Sequence, residues 1–258
     1  MAPGGPQEVA VALSAAPGGV PLAYAGIDAS WEERLPTLVD ECAGQWDLEL
    51  EQPFEGGFVS HVVPAGDVVL KIQWPHRESE HEAAALELWD GDGAIRLLDF
   101  EPEAHALLLE RCVPGTPLSA AGGEAALDVF VQLLPRLWKP AGAPFGTLAA
   151  EAAWWADSLE EAWERFARPF ERRLLDAALE ALQQLPHTQG EQVLLHQDLH
   201  GDNVLAAGRE PWLAIDPKPL VGERAFDVAA LLRDRRPELA RAPAPVRRMR
   251  RRLDRLAG

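Results

Sequence analysis

Several features are scarce in this chain of 258 residues, and each scarcity excludes a class of protein. The two cysteines, Cys42 and Cys112, lie too far apart in sequence to suggest a disulfide framework, so we expect reduced thiols. There is no apolar run of 18 residues, and the N-terminus lacks the basic residues that open a secretory signal. These absences favour a cytoplasmic protein that does not enter a membrane.

Charge is unevenly distributed along the chain. The formal net charge is −17, yet residues 221–258 carry 11 arginines against 5 acidic residues, so residues 1–220 carry a net charge of −23. An acidic body argues against binding to nucleic acid and is compatible with a cationic small-molecule partner. The same charge could equally serve solubility. We expect the protein to act as a monomer.

Length and composition predict one globular unit with two lobes. With 47% hydrophobic and 25% charged residues, the chain can bury a sizeable core. Residues 1–22 are rich in proline and glycine and are expected to form a disordered tail. We assign residues 23–111 to an N-terminal lobe and residues 112–258 to a C-terminal lobe, with the boundary at a short Pro-Gly connector.

The most informative stretch is VLLHQDLHGDNVLAA, residues 193–207, followed by WLAIDPK. His196, Asp198 and Asn203 fit the pattern of a protein-kinase catalytic loop, and Asp216 closes an apolar run. Asp198 suits the carboxylate that faces an acceptor hydroxyl, while Asn203 and Asp216 offer hard oxygen ligands for Mg²⁺. His200 and Asp202 are interpreted as residues that shape the loop. The alternative is a merely polar, solvated loop.

Lysine is scarce, with three residues against 21 arginines, and Lys71 lies inside the apolar strand DVVLKIQW. A lysine in that setting needs an anionic partner, which nucleotide phosphates and a helix glutamate would supply. A helix is predicted over residues 77–89, and its Ala-Ala-Ala-Leu run favours Glu82 over Glu78 or Glu80 as that glutamate. The alternative is an edge-strand lysine that faces water.

Further elements can be placed on either side of that strand. We predict a helix at residues 30–42 and strands at residues 46–52, 58–63, 67–74, 94–99 and 103–109. The turn at Gly56 and Gly57 could approach a phosphate, although ordinary hairpin chemistry explains it equally well. Backbone groups of Glu110 and Cys112 could bind an adenine. Residues 123–185 are helical in pattern, and an amphipathic helix is expected near the C-terminus.

Together with residues 209–224, REPWLAIDPKPLVGER, the catalytic-loop motif resembles the aminoglycoside/hydroxyurea phosphotransferases, a family of bacterial antibiotic-resistance kinases. The resemblance implies an α+β, bilobal, protein-kinase-like fold with an antiparallel N-lobe sheet plus a helix and a mainly helical C-lobe. It implies dependence on ATP and Mg²⁺, with Asp198 as catalytic base or acceptor-orienting group, Asn203 and Asp216 as metal ligands, and Lys71 with Glu82 as the pair that binds the phosphates. Asp227 matches the family's acid that braces the catalytic loop.

Two features of the sequence differ from a protein kinase or from the family, and they bear on the acceptor and on whether the chain is active. Asp216-Pro217-Lys218 replaces Asp-Phe-Gly, and Phe226 follows Asp216 by only ten positions, which leaves no room for a peptide platform. A small hydroxylated molecule is therefore the expected acceptor. Relatives usually continue through further C-terminal helices, so a truncated or inactive nucleotide-binding kinase is one alternative.

A second alternative is a metal-dependent hydrolase. It would be built on His196, Asp198, His200, Asp202 and Asp216. For the kinase hypothesis, streptomycin is favoured over hydroxyurea because the acidic body would attract its guanidinium groups, whereas hydroxyurea is neutral. The acidic side chains proposed for that attraction are Asp157, Glu160, Glu161 and Glu164.

Overall fold

A computed structural model describes residues 29–54, 59–234 and 244–257 of the chain. The expected tail, residues 1–22, and the turn glycines Gly56 and Gly57 lie outside the described residues. The described part contains seven α-helices: α1 Ala29–Gln45, α2 Glu82–Trp89, α3 Gly123–Leu137, α4 Leu148–Arg165, α5 Arg172–Gln184, α6 Val228–Asp234 and α7 Pro245–Ala257. Its strands are β1 Ser60–Ala65, β2 Val68–Gln73, β3 Leu97–Glu101, β4 Ala106–Glu110, β5 Gln192–Leu195, β6 Val204–Ala206, β7 Trp212–Ala214 and β8 Leu220–Glu223.

The N-terminal lobe is an antiparallel sheet with the strand order β1-β2-β4-β3. The β1–β2 hairpin turns at Gly66, whose φ of 60° is a conformation that glycine adopts without strain. Aliphatic residues on both sides of Lys71 make β2 a central strand, paired with β1 and β4. The four strands predicted from residue 58 onward are present, with their bounds shifted by one to three residues.

The strand predicted at residues 46–52 is wrong, because residues 46 and 47 form a turn and residues 48–52 belong to no strand. The Glu51 amide donates to the carbonyl oxygen of Pro64 at 2.8 Å, and the Phe54 amide donates to that of Val62 at 2.9 Å. Pro64 has no N–H to return a hydrogen bond, so a regular ladder cannot form beside β1.

Helix α2 begins at Glu82, five residues later than the predicted start at Arg77. The Ser79 hydroxyl lies 2.9 Å from the carbonyl oxygen of His76 and accepts a hydrogen bond from the His76 amide at 3.2 Å. A serine that bonds its neighbouring backbone in this way stabilises turns in place of a helix. The segment before α2 is therefore a series of turns that leads out of β2.

The helical prediction for residues 123–185 is too simple, because three helices fill this region. Pro140 and Pro144 lie in the connection between α3 and α4, and Pro169 lies between α4 and α5. The N-terminal helix is found as α1, which includes Pro36, and the expected C-terminal helix is α7.

One hydrophobic core runs from the N-terminal lobe into the C-terminal lobe. It includes Leu86 and Trp89 of α2, Phe130 of α3, and Leu194 of β5, all buried. A smaller cluster lies between α1 and the outer face of the sheet, where Leu38 packs near Ile72. In the described part of the chain, no helix has the length and apolar character needed to cross a bilayer.

Candidate active site

Asp227 holds the start of the catalytic loop, which leaves β5 at His196. Its carboxylate accepts hydrogen bonds from the backbone amides of Gln197 at 2.7 Å and His196 at 3.1 Å, and from the Trp138 indole at 3.1 Å. Burial raises the pKa of Asp227 to about 6, although the three N–H donors oppose that shift. The structure thus places Asp227 where it fixes loop geometry, away from any open cavity.

His196 anchors the same loop from its other side. Its imidazole is fully buried and stacks on Trp89 with the ring centroids 6.1 Å apart. The Nε2 atom lies 3.0 Å from the carbonyl oxygen of Ile215, and Nδ1 has no hydrogen-bond partner among the described residues. Burial lowers the pKa of His196 to about 4, so the ring is neutral and donates through Nε2.

Asp198 is held by two side chains that come from opposite ends of the motif. The Lys218 Nζ atom donates to Oδ2 of Asp198 at 2.7 Å, and the Asn203 amide nitrogen donates to the Asp198 carbonyl oxygen at 2.9 Å. The backbone amide of Lys218 also donates to the His196 carbonyl oxygen at 3.0 Å. The Asp198 carboxylate therefore has the Lys218 ammonium group as a neighbour, and the Asp198 backbone is held in place by Asn203.

The remaining loop residues dock on a short 3₁₀ turn, Leu118–Ala120. The Ser119 hydroxyl bonds to the largely exposed carboxylate of Asp202. A Cβ atom at Gly201 would lie 2.9 Å from the Ser119 Cα atom, so only glycine permits this approach. His200 accepts a hydrogen bond from the Asp202 amide at 3.2 Å, and its Nε2 lies 3.8 Å from Asp198.

Lys71, on strand β2 of the N-terminal lobe, binds Asp216, one of the two proposed metal ligands. Its Nζ lies 2.9 and 2.7 Å from the two carboxylate oxygens of Glu82, and 2.5 Å from Oδ1 of Asp216. Burial alone would lower the pKa of Lys71, but the carboxylates of Asp216 and Glu82 raise it above its usual value. The same ammonium group holds the pKa of Asp216 below its ordinary value against the effect of burial. Glu82, and not Glu78 or Glu80, is the partner of Lys71 in the structure.

Two residues beside this site have left-handed backbone conformations. Asp216 has a φ of 56° and Gln197 a φ of 67°. Residues other than glycine adopt such angles at a cost of about 1–3 kcal/mol, and they are concentrated at functional sites. The angle at Asp216 turns the chain directly after Ile215, whose carbonyl oxygen binds His196.

A cavity of about 490 Å³ opens between the two lobes. It contains the phosphate-gripping and metal-ligand candidates together with the connector that was predicted to bind adenine. Its lining includes Lys71, Glu82, Asn203, Asp216, Val69, Leu109, Leu205, Ile215 and the connector residues 110–115. Apolar walls with a few convergent charged groups are typical of a ligand site.

Within the connector, Glu110 and Cys112 have different surroundings. The Glu110 amide donates to the Arg96 carbonyl oxygen at 3.0 Å, which leaves its carbonyl oxygen as the group that an adenine could use. The half-buried thiol of Cys112 has a pKa raised to about 11, chiefly by burial and further by the Glu110 carboxylate. The thiol is therefore protonated at neutral pH.

Sequence reasoning missed two structural features near the site. Arg209 uses its guanidinium to bind the Glu110 carboxylate and backbone oxygens of the N-terminal lobe. Glu151 of α4 is buried and pairs with Arg77. Neither could be found by periodicity, because each contact joins residues that are more than 70 positions apart.

The acidic residues of α4 that were proposed to attract an acceptor lie on its exposed side. Glu160 pairs with Arg172, and Glu164 pairs with Arg168. Within residues 29–54, 59–234 and 244–257, no three His, Cys, Asp or Glu side chains are grouped so as to hold a metal ion.

Comparison with known proteins gives a consistent result. Residues 45–258 match the family model described as aminoglycoside/hydroxyurea antibiotic resistance kinase. The chain is 37% identical over 232 residues to streptomycin 6-kinase from Streptomyces glaucescens, a match that covers 87% of this chain and 75% of that protein. It is 40% identical over 210 residues to hydroxyurea phosphotransferase from Kitasatospora aureofaciens, covering 78% and 61%. Among solved structures, choline kinase from Streptococcus pneumoniae has a similar fold, with a TM-score of 0.57, 16% identity and coverage of 77% and 74%.

Proposed function

This chain belongs to the aminoglycoside/hydroxyurea antibiotic resistance kinases, and we propose that it transfers the γ-phosphoryl group of ATP to a hydroxyl group of a small molecule. The observation that carries the proposal is the meeting of Lys71, Asn203 and Asp216 in one cavity between the lobes. Asp198 lies directly beside them, since Asn203 binds its carbonyl oxygen. A cation on a strand, two hard oxygen ligands and a neighbouring carboxylate form the set that phosphoryl transfer requires.

On the nucleotide side, the connector residues Glu110 and Cys112 would bind the adenine through their backbone, and Lys71 would bind the phosphates. The donor set fits Mg²⁺, because the Asn203 amide nitrogen is engaged by Asp198 and its oxygen is left for a cation. Asp216 contributes a carboxylate that the nearby ammonium group keeps ionised. The metal would neutralise phosphate charge when bound.

On the acceptor side, Asp198 would accept the proton of the attacking hydroxyl group. Lys218 binds its Oδ2 atom at 2.7 Å and so helps to fix the orientation of this carboxylate. We favour an acceptor of the streptomycin type over hydroxyurea, since the acidic body would attract a cation. The names of the relatives are compatible with either acceptor.

An acceptor screen tests the proposal. Purified protein with Mg²⁺ and ATP is incubated with streptomycin, other aminoglycosides, hydroxyurea or simple sugars, and ADP release is measured. We expect turnover with streptomycin. Tight ATP binding without turnover on any acceptor would favour the alternative of a nucleotide-binding protein that lacks transferase activity.

We predict that Asp198→Asn lowers kcat by about 10²–10⁴-fold, because the general base and its orienting effect are lost. Nucleotide affinity measured by calorimetry should stay within a few-fold of the wild type, whereas Lys71→Ala should weaken it. Asp202→Asn is the matched control, since it makes the same chemical change in the same loop. If Asp198→Asn turned over normally and Asp202→Asn did not, the catalytic base would be Asp202.

A further inference from the structure

Beside the catalytic loop, an arginine of one lobe occupies a site formed by a helix of the other lobe. The Arg77 guanidinium contacts the Glu151 carboxylate, and its central carbon lies 4.4 Å from the centroid of the Trp154 ring. Glu151 and Trp154 are three residues apart in the first turns of α4, so they lie on neighbouring positions of one helix face. A carboxylate next to an aromatic face is a combination that binds guanidinium groups.

The Glu151 carboxylate requires a cation at this place. The residue is only 5% exposed, and a buried carboxylate without a partner is costly. Burial raises the pKa of Glu151, and the Arg77 guanidinium opposes that shift. The Glu151 carboxylate of α4 therefore needs a cationic partner, whether that partner is Arg77 or another group.

The Arg77 side chain, in contrast, is partly exposed. It is 43% exposed and belongs to the series of turns between β2 and α2. Because Arg77 and Glu151 lie in different lobes, opening of the cleft would separate them. Trp154 is 44% exposed, so its ring is accessible from solvent on the side that Arg77 does not cover.

The location lies next to the catalytic loop. With Arg77 in place, the pocket here has a volume of only about 20 Å³, and its lining includes Arg77, Glu151, Gln197 and Lys218 but not Trp154. Gln197 directly precedes Asp198, and Lys218 contacts the Asp198 carboxylate at 2.7 Å. A cationic group bound to Glu151 in place of Arg77 would thus lie near Gln197 and Lys218, the two residues that adjoin the carboxylate proposed as the catalytic base.

We propose that Glu151 and Trp154 form a binding site for a guanidinium group of the acceptor, and that the Arg77 guanidinium competes with the acceptor for this site. The inference rests on the proposed function and narrows its acceptor class to hydroxylated molecules that carry a guanidinium group. The acceptor's cation is thus assigned to one buried carboxylate and one aromatic ring of α4. The exposed acidic residues of that helix, two of which are paired with arginines, are no longer needed to bind it.

Calorimetry with streptomycin, in the absence of ATP, tests the inference independently of turnover. Removal of the competing group in Arg77→Ala should tighten streptomycin binding by about 3- to 10-fold, while Glu151→Gln and Trp154→Leu should weaken it by about 10-fold. Kanamycin, which has ammonium groups but no guanidinium group, should respond less to all three changes. Arg165→Ala is the matched control, because its guanidinium stacks on Phe166 at the other end of α4 and should not affect binding.

The outcomes separate this inference from the proposed function. Weaker or unchanged streptomycin binding in Arg77→Ala would make Arg77 a link between the lobes and would overturn the inference. So would wild-type affinity in Trp154→Leu, which tests the site at an exposed position even if Glu151→Gln fails to fold. If neither the wild type nor Arg77→Ala bound streptomycin, the inference would also be wrong. Binding with the expected pattern but without phosphorylation would contradict the proposed function alone.

Discussion

His196 is a single residue on which both the catalytic loop and the core depend. Its ring packs on Trp89 of α2, while Nε2 donates to the carbonyl oxygen that precedes Asp216. Nδ1 has no partner in the described part of the chain, so protonation would place an unsatisfied charged donor in the core. The folded state therefore requires the neutral ring.

This requirement predicts a pH dependence of stability. The pKa of His196 is about 4 in the folded protein against an ordinary value of 6.5, so the unfolded chain binds the additional proton between these limits. The contribution is complete above pH 6.5 and is lost as the pH falls towards 4. Between pH 7 and pH 5 the wild type should lose about 2 kcal/mol of unfolding free energy through this residue.

Urea denaturation of the wild type and His196→Asn at several pH values measures that loss. The variant should be less stable at pH 7 and should depend less on pH below it. Asp227 acts in the opposite direction, because its folded pKa of about 6 lies above the ordinary 3.8, so its contribution is lost as the pH rises through this range. It is present in both proteins and cancels in the comparison. Equal pH dependence in the two proteins would contradict the assignment to His196.

For single residues, the sequence was sufficient to predict those that belong to local motifs. It was not sufficient to predict contacts between residues that lie far apart in the chain. Glu82 could be chosen because an apolar run after it marked the buried face of a helix, and the structure pairs it with Lys71. Glu151 could not be chosen, because its burial depends on how α4 packs and its partner lies 74 residues away. A pattern of neighbours contains no information about such a contact.

Among the elements, the connector after β4 is braced by one side chain. Arg209 has five N–H donor contacts: two to Glu110, and one each to the Gly91 carbonyl oxygen, the Ala94 carbonyl oxygen and Glu210. The Glu110 contact is bidentate, at 2.8 and 2.9 Å. Arg209 follows β6, so it fastens the catalytic lobe to the strand that leads into the connector.

We predict that Arg209→Lys is destabilising although it conserves the charge. Lysine has three donors at one point and cannot reproduce a planar fork, so carbonyl oxygens and a carboxylate would lose their partners. Loss of hydrogen-bond partners in such a network costs about 1–3 kcal/mol, which thermal denaturation would register. Arg173→Lys, at an exposed ion pair on α5, is the control and should change little. Equal effects would show that Arg209 acts only through its charge.

Element types were more predictable than element bounds. The strands of the sheet were found because β-branched and aliphatic residues alternate with turn residues. Helix α2 was predicted five residues too long, since the glutamates after Arg77 suit a helix but Ser79 stabilises a turn. The segment at residues 46–52 has a strand-like pattern, yet Pro64 of its neighbour prevents a ladder. Boundaries thus depend on side-chain bonds and partners that periodicity does not describe.

For the whole molecule, the uneven charge becomes partly compensated on folding. Arg255 of α7 pairs with Glu124 and Asp128 of α3, and Arg248 lies 3.5 Å from Glu124. The basic helix therefore lies against acidic residues of α3, which account for two of its six arginines. The remaining excess of acidic residues lies on the rest of the chain, which carries the proposed site.

That excess predicts a salt effect on the acceptor. If the acidic body steers a cation, kcat/KM for streptomycin should fall by about 10-fold between low salt and 0.5 M NaCl, because screening shortens the range of the field. Any turnover of neutral hydroxyurea under the same conditions should change much less, which controls for effects of salt on ATP and the fold. Streptomycin kinetics that are indifferent to salt would restrict recognition to local contacts such as those of Glu151.

The thiol of Cys112 in the wall of the interlobe cavity gives the protein a natural chemical reporter. The only other cysteine, Cys42, lies on the buried face of α1, so a reagent that alkylates the folded protein should label one position. With its pKa near 11, the thiol reacts slowly at neutral pH, and the rate is set by access more than by ionisation. A ligand that fills the cavity would shield it, and an inhibitor with a slow electrophile could be fixed there covalently.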